Sequence, residues 1–188
     1  MSSRATLELW ETIAREAEDE SSLWRDALKP ARDRELEPVF SPLGEGRFAL
    51  GLETIYEGYL VHYGSPRLFA PPDADTALLL GDYLYAHGLV RIASFDEVEA
   101  VADLSELISL CSQLRAESAA GDGPLWAATA ALLGTGPGLE ESRAALRLRR
   151  DPTLLEGTAH SAAGVEPVER ALAAHTLRFG FDPTGERV

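Results

Sequence analysis

Residues 76–118 contain two long apolar segments separated by a short polar break, and this arrangement constrains the fold more than any other part of the chain. The first segment, residues 76–93, carries apolar side chains on nearly every side of a helix, which is typical of a helix buried at the centre of a protein. In the break, Ser94 precedes Glu97 by three residues, the spacing of a capping box that starts a helix. The second segment has apolar residues at spacings of three and four opposite acidic ones, so we expect its helix at the edge of a bundle.

The composition indicates a folded protein with one domain and a substantial core. Its 188 residues are 45% hydrophobic and 26% charged, which does not favour disorder. The formal net charge of −14 at pH 7 would repel phosphate backbones, so we expect no nucleic-acid partner. The only lysine, Lys29, stands beside Pro30, which argues against a phosphate-binding loop or a Schiff-base lysine.

The cysteine content and the N-terminus bear on the cellular location. Cys111 is the only cysteine and lies among apolar residues, so we expect a buried, inert thiol in a reducing compartment. The first twenty residues are acidic where a signal peptide would be apolar, and no apolar run of 18 residues occurs. We therefore expect a cytoplasmic protein without membrane insertion.

Helical periodicity, interrupted by proline and glycine, predicts helices over most of the remaining chain. Asp73 or Asp75 is expected to cap the central helix, and Ser21 or Ser22 to start a short helix after the first one. No segment alternates as a strand does, so we predict an all-α helical bundle in a single domain of residues 1–188. The further helices are predicted at residues 4–28, 47–63, 125–133, 139–150 and 166–177.

Two glutamates stand out in the otherwise apolar helix predicted at residues 47–63. Glu53 and Glu57 are four residues apart, so their carboxylates lie one turn apart on the same side of the helix. Two interpretations are open: a solvent-facing strip on a buried helix, or a pair that lines a polar cavity and holds a cation. The sequence alone favours the solvent-facing strip, because solvation is the usual state of charged side chains.

Two strings resemble the trans-polyprenyl diphosphate synthases, whose chains carry a Gly-Asp-aromatic-Leu segment in a core helix. They are LLLGDYLYAHGL at residues 78–89 and SLCSQLRAES at residues 109–118. The resemblance covers residues 45–135 and implies a truncated isoprenoid-synthase fold. Residues 1–44 would then form N-terminal helices and an irregular connection, and residues 136–188 would form divergent C-terminal helices.

Extended upstream without gaps, the resemblance locates the family's functional positions. It places the Gly-x-Pro motif on residues 64–66, the first aspartate-rich motif on the segment from Glu53 to Glu57, and one of the paired diphosphate-binding arginines on His62. In that family, two aspartate-rich motifs hold magnesium ions against the substrate diphosphate. This chain has no Asp-Asp dipeptide, so it lacks the converging oxygen ligands that magnesium requires. We therefore expect no catalytic residue, no bound metal and no cofactor.

These departures imply a catalytically inactive member of the family, a pseudoenzyme. We expect a non-catalytic or regulatory subunit that forms a homodimer or pairs with an intact polyprenyl synthase. The apolar helix at residues 76–93 either faces such an interface or fills the core of the monomer, and both alternatives stay open.

Two further hypotheses follow from the same resemblance. The first is a stand-alone protein that binds an isoprenoid or another lipid without enzymatic activity, in a pocket whose candidate lining residues are Phe48, Ala49, Leu52 and Tyr83. The second is a metal-dependent enzyme with Glu53, Glu57 and His62 as ligands. The other histidines, His87, His160 and His175, show no spacing typical of a metal site.

Overall fold

The computed structural model describes residues 3–135 and 138–179, and within these ranges it contains nine α-helices and no β-strand. The all-α prediction is thus confirmed. In the described part of the chain, no helix is both long and apolar enough to cross a membrane. The helices are α1 (Ser3–Glu20), α2 (Ser22–Ala27), α3 (Ala49–Tyr63), α4 (Ala74–Ala93), α5 (Val98–Ala116), α6 (Asp122–Leu132), α7 (Glu140–Arg149), α8 (Thr153–Ala163) and α9 (Val165–Leu177).

The central helix of the bundle is α3. All its residues from 51 to 61 are buried, because it lies between two apolar clusters. One cluster joins α3 to α5–α9, and the other joins it to α1, α2 and the segment that contains Leu68 and Phe69. Polar side chains of α3 must therefore find their partners inside the protein.

The expectation that the helix at residues 76–93 is the buried centre is wrong. In α4, one side is buried through Leu80, Leu84 and Ile92, whereas Leu79 and Val90 on the other side are 56% and 66% exposed. The apolar composition is uniform around α4, but only one side has another helix to pack against. The described residues leave its other side in contact with solvent.

Glycines bring α3 and α4 unusually close together. A Cβ at Gly88 would lie 2.9 Å from the carbonyl oxygen of Gly51, and a Cβ at Gly58 would lie 2.9 Å from that of Gly81. Gly51 and Gly58 are seven residues apart, as are Gly81 and Gly88, so each helix presents a glycine every two turns. Gly81 also makes room for the ring of His62, whose Nε2 would lie 2.4 Å from a Cβ.

The helix starts agree only in part with the sequence. Asp73 caps α4 by accepting a hydrogen bond from the Thr76 N–H, and Ser21 caps α2 by accepting from the Leu23 N–H, as predicted. The capping box at Ser94 is wrong, because Ser94 ends α4 and its hydroxyl donates backward to the Arg91 carbonyl. Helix α5 begins only at Val98.

The C-terminal part contains one helix that the sequence did not indicate. Helix α8 follows Pro152, and only Leu155 and Ala159 of its side chains are buried, a pattern too sparse to predict a helix. Cys111 is buried as expected, and burial raises the pKa of its thiol. Residues 136–137 and 180–188 of the predicted C-terminal region lie outside the described residues.

Candidate functional site

The two glutamates of α3 lie in the interior of the protein. Glu53 and Glu57 are both 0% exposed, so the predicted solvent-facing strip is wrong. The reason is the position of α3, which is covered on every side by other parts of the chain. In the alternative interpretation the two carboxylates hold a cation. They do hold one, and it is a side chain of the protein itself.

That cation is the guanidinium of Arg67, which is also 0% exposed. Its NH1 atom donates to Glu53 Oε2 at 2.6 Å, and its Nε atom donates to Glu57 Oε2 at 3.0 Å. The spacing of four residues places the two carboxylates side by side on α3, so that one planar guanidinium reaches both. We call these three residues the Glu-Arg-Glu cluster.

The segment after α3 fixes the position of Arg67. Beyond residues 64–66 the chain runs antiparallel to the end of α2, where Lys29 N–H donates to the Leu68 carbonyl and Ala70 N–H donates to the Ala27 carbonyl. The Lys29 ammonium donates to the Pro66 carbonyl at 2.5 Å. The backbone is therefore held on both sides of Arg67, and its side chain extends beneath α3.

Backbone N–H groups engage the remaining carboxylate oxygens of the cluster. Glu53 Oε1 accepts from the N–H groups of Val39 and Ser41 at 3.1 and 3.0 Å. Glu57 Oε1 accepts from the Leu68 N–H at 2.7 Å. All four carboxylate oxygens thus have a donor, which a buried charged group requires.

Aromatic rings complete the environment of Arg67. Its guanidinium carbon lies 4.4 Å from the ring centroid of Trp10 in α1 and 4.9 Å from that of Tyr56 in α3. Contacts of this kind stabilise a desolvated cation. Burial by itself lowers the pKa of Arg67, but the neighbouring Glu53 and Glu57 carboxylates raise it above its ordinary value. The guanidinium is therefore charged.

This geometry decides what the cluster can do chemically. A metal ion needs carboxylate oxygens that point into a space large enough for the ion and its waters. Here the oxygens point at the guanidinium and at backbone N–H groups, so a metal would have to displace Arg67. The cluster is an internal ion-pair group, and it links α1, α3 and the segments at residues 37–41 and 67–68.

His62, the third residue of the predicted metal-motif positions, lies apart from this cluster. Its Nε2 is 3.2 Å from Asp82 Oδ1 of α4, and its ring packs on Tyr85 at 5.1 Å between centroids. Burial lowers the pKa of His62, and the Asp82 carboxylate offsets this effect only in part. The structure therefore does not bring Glu53, Glu57 and His62 together as ligands of one metal.

The four candidate pocket-lining residues do not surround a common cavity. Phe48 packs edge-to-face on Phe95 at 5.6 Å and belongs with Leu52 to the cluster that faces α5 and α6, whereas Ala49 belongs to the cluster that faces α1. The ring of Tyr83 is stacked on Trp24 at 5.7 Å.

Two surface depressions lie in the described part of the protein, and a candidate residue lines one of them. Tyr83 lines one of about 380 Å³ with Glu16, Asp19, Glu20, His87 and Arg91. The other, of about 610 Å³, lies against α8 and the end of α6. Neither is lined by Phe48, Ala49 or Leu52.

A second buried polar group begins at Tyr56, whose ring also lies against Arg67 of the first group. The Tyr56 hydroxyl is 2.9 Å from His175 Nδ1, and His175 Nε2 is 3.1 Å from Asp122 Oδ2. The Tyr59 hydroxyl donates to the same Asp122 oxygen at 2.5 Å and accepts from Arg115 Nε at 2.7 Å. These contacts fasten α9, α6 and α5 to the central helix.

The ionisation of this group follows from its burial and its partners. Burial alone raises the pKa of Asp122, but His175, Tyr59 and Arg115 together hold it well below its usual range. Burial raises the pKa of both Tyr56 and Tyr59, so both hydroxyls are protonated at neutral pH. An aspartate–histidine–tyrosine chain can relay a proton, but Tyr56 and His175 are 0% and 5% exposed, so no substrate reaches them.

Sequence reasoning missed the residues that complete both buried groups. Arg67 is ten residues from Glu57 in an irregular segment, and helical spacing does not connect the two. One signal was present, since Arg67 is the only charged residue between Ser65 and Pro71. Asp122 precedes the helix predicted at residues 125–133, and His175 shows no spacing that connects it to Asp122 or Tyr56.

Comparisons with known proteins give no relative. No protein-family model matches the chain, and neither a curated protein nor a solved structure matches it. The fold class therefore rests on the described helices, and the assignment to a family stays a prediction from sequence motifs.

Proposed function

We propose that this chain is a non-catalytic subunit that pairs with an intact trans-polyprenyl diphosphate synthase. The observation that carries the proposal is the guanidinium of Arg67 between Glu53 and Glu57. The motif resemblance assigns this position to the first aspartate-rich motif. A positive side chain held where that family holds magnesium is what we expect of a chain that keeps the helical framework and has lost the chemistry.

A second observation supports a role in assembly. The solvent side of α4 exposes apolar side chains on both sides of one carboxylate, Asp82. Several apolar side chains exposed on one side of a helix are typical of a protein-protein contact. We call this surface the α4 outer face, and its exposed apolar residues are Leu78, Leu79, Ala86 and Val90.

The test is reconstitution with a motif-bearing polyprenyl synthase from the same genome. The two purified chains are expected to co-elute in size exclusion, and the mixture is expected to differ from the synthase alone in product length or rate. Failure to co-elute together with unchanged products would contradict the proposal.

Matched variants locate the contact. Val90→Glu places a charge at the C-terminal end of the α4 outer face, at its most exposed large apolar residue, and should abolish co-elution. Leu148→Glu changes an equally exposed apolar residue of α7, 77% exposed against 66% for Val90, and should leave co-elution intact. Loss of co-elution in both variants would indicate general destabilisation instead of a specific contact.

The stand-alone lipid carrier stays a prediction without a structural observation in its favour. Phe48, Ala49 and Leu52 are packed in the two apolar clusters and line neither of the two depressions. The test of the carrier is native mass spectrometry of the protein with an added isoprenoid alcohol. Binding of the alcohol that prevents association with the synthase would favour the carrier over the subunit.

A further inference from the structure

We propose that Glu156, His160 and Glu169 form a binding site for a divalent transition-metal ion at the junction of α8 and α9. One ligand atom of each side chain lies within 4.8 Å of the others. His160 Nε2 and Glu169 Oε1 are 3.0 Å apart. The site is separate from the Glu-Arg-Glu cluster and from the α4 outer face, and it does not depend on the proposed function.

The spacing of the ligands on two helices explains how they converge. Glu156 and His160 are four residues apart on α8, so both project from the same side one turn apart. Helix α9 begins directly after Gly164, whose φ of 87° lies in the left-handed region. This sharp turn at glycine returns the chain beside α8 and brings Glu169 to the other two residues.

The two helices are rigid enough to hold a site. Leu155 and Ala159 of α8 are buried in the core, as are Val168 and Ala171 of α9. Ligands on packed helices are positioned more accurately than ligands on loops. Zinc lies about 2.0–2.2 Å from nitrogen and oxygen ligands. The three ligand atoms are up to 4.8 Å from one another. To bring all three to these distances from one ion, the side chains must shift on the order of 1 Å.

The charges around the site distinguish it from an ordinary ion-pair network. In the described ranges, no arginine or lysine pairs with Glu156 or Glu169, and His160 is the only basic partner of Glu169. Two carboxylates without a guanidinium keep free oxygens for a cation. By contrast, Arg91 pairs with the carboxylate of Glu16, which lies near His87.

The donor atoms indicate the class of metal. One imidazole nitrogen and two carboxylate oxygens suit zinc, manganese and other first-row divalent ions, whereas magnesium and calcium prefer oxygen ligands alone. Three protein ligands leave at least one position for water. The half-buried position of His160 and the exposed position of Glu169, with 23% and 56% side-chain exposure, leave the site accessible from solvent.

The experiment is titration of the full-length protein with zinc chloride, followed by calorimetry and by NMR of the histidine ring protons. We expect saturable binding of one zinc ion, with the largest change at one of the four histidine signals. That signal should be absent in His160→Asn. His160→Asn and Glu169→Gln should each weaken zinc binding by more than about tenfold.

Two control variants test the location of the site. Glu166→Gln removes an exposed carboxylate of α9 that pairs with Arg170, and His87→Asn removes a histidine near a carboxylate in another part of the fold. Both should bind zinc as the wild type does, and circular dichroism should show that all four variants are folded. The proposal is overturned if zinc binding is not saturable, if His160→Asn or Glu169→Gln leaves it unchanged, or if magnesium binds equally well.

Discussion

The Glu-Arg-Glu cluster at α3 and the group at the junction of α8 and α9 each bring a basic side chain together with two glutamates. In the Glu-Arg-Glu cluster, every carboxylate oxygen has a donor and all three side chains are excluded from water. In the group of Glu156, His160 and Glu169, the basic residue is a histidine and the side chains are partly exposed. We therefore expect the same residue types to have opposite consequences. Loss of a partner in the first group should destabilise the fold, whereas the second group should contribute little to stability and remain accessible to a metal ion.

The strongest test of this difference is Arg67→Met, which keeps an unbranched side chain of somewhat shorter length and removes the charge. Two buried carboxylates then lack their cation, and removal of one partner from a buried ion pair costs about 3–5 kcal/mol. The free energy of unfolding, measured by urea denaturation, should fall by that amount. If the wild type has less stability than this, the variant should be unfolded. The control is Arg170→Met, which removes an exposed pair on α9 and should cost less than about 0.5 kcal/mol.

Glu57→Gln tests the same cluster from the side of the anion. Arg67 keeps Glu53 as a partner in this variant, so the loss should be smaller than for Arg67→Met and about 2–3 kcal/mol. A loss below about 1 kcal/mol in either cluster variant would contradict the assignment of a stabilising role.

The second prediction concerns Asp122, a further closed carboxylate beside α3. Asp122→Asn removes the negative charge that accepts from Tyr59 and pairs with Arg115, and it should cost about 2–3 kcal/mol at neutral pH. The pKa of Asp122 is depressed in the folded state, so its contribution is complete above the unfolded pKa of about 3.9. That contribution is lost as the pH falls through the lower folded pKa.

Urea denaturation at several pH values checks this sign. The difference in stability between the wild type and Asp122→Asn should be constant from neutral pH to about pH 5, and it should narrow below about pH 4. A difference in stability that widens in acid would contradict a depressed pKa of Asp122 in the folded state.

The third prediction compares the packing at Gly88, where α4 contacts α3, with the packing at Gly157 in α8. A Cβ at Gly88 in α4 would lie 2.4 Å from Ile55 Cγ1 and 2.9 Å from the Gly51 carbonyl oxygen. Gly88→Ala should therefore cost about 1–3 kcal/mol through overpacking. A Cβ at Gly157 in α8 would meet nothing within 4 Å, so Gly157→Ala should stabilise by up to about 1 kcal/mol. Thermal melts of both variants measure the contrast, and equal effects would contradict it.

The sequence was sufficient for the parts of the fold that depend on local patterns. Local patterns and chain breaks located six of the nine helices in the described residues, α3 to α7 and α9, to within a few residues, and Asp73 and Ser21 act as the predicted caps. Burial was harder to predict. Helices α3 and α4 are both rich in apolar residues, and only the contacts between helices decide that α3 is covered on all sides and α4 on one.

The candidate sites show the same limit. The i, i+4 spacing of Glu53 and Glu57 indicated a carboxylate pair, because that relation lies within one helix. Their partner Arg67 comes from an irregular segment, and the partner of His160 and Glu156 comes from a different helix. No periodicity predicts which segments meet across a turn, so the sequence indicates neither the partner of His160 on α9 nor the cation of the α3 pair.

The smallest expected change in stability is that of Glu169→Gln, measured in buffer that contains a chelator so that no metal is bound. The Glu169 carboxylate is 56% exposed and, among the described residues, pairs only with His160, so its loss should change the free energy of unfolding by less than about 1 kcal/mol. Glu57→Gln, the same chemical change at a fully buried carboxylate, should cost at least twice as much. Urea denaturation of the two variants side by side measures both values. If Glu169→Gln destabilised the protein as much as Glu57→Gln, the α8–α9 group would be a second structural ion pair, and its difference from the Glu-Arg-Glu cluster would disappear.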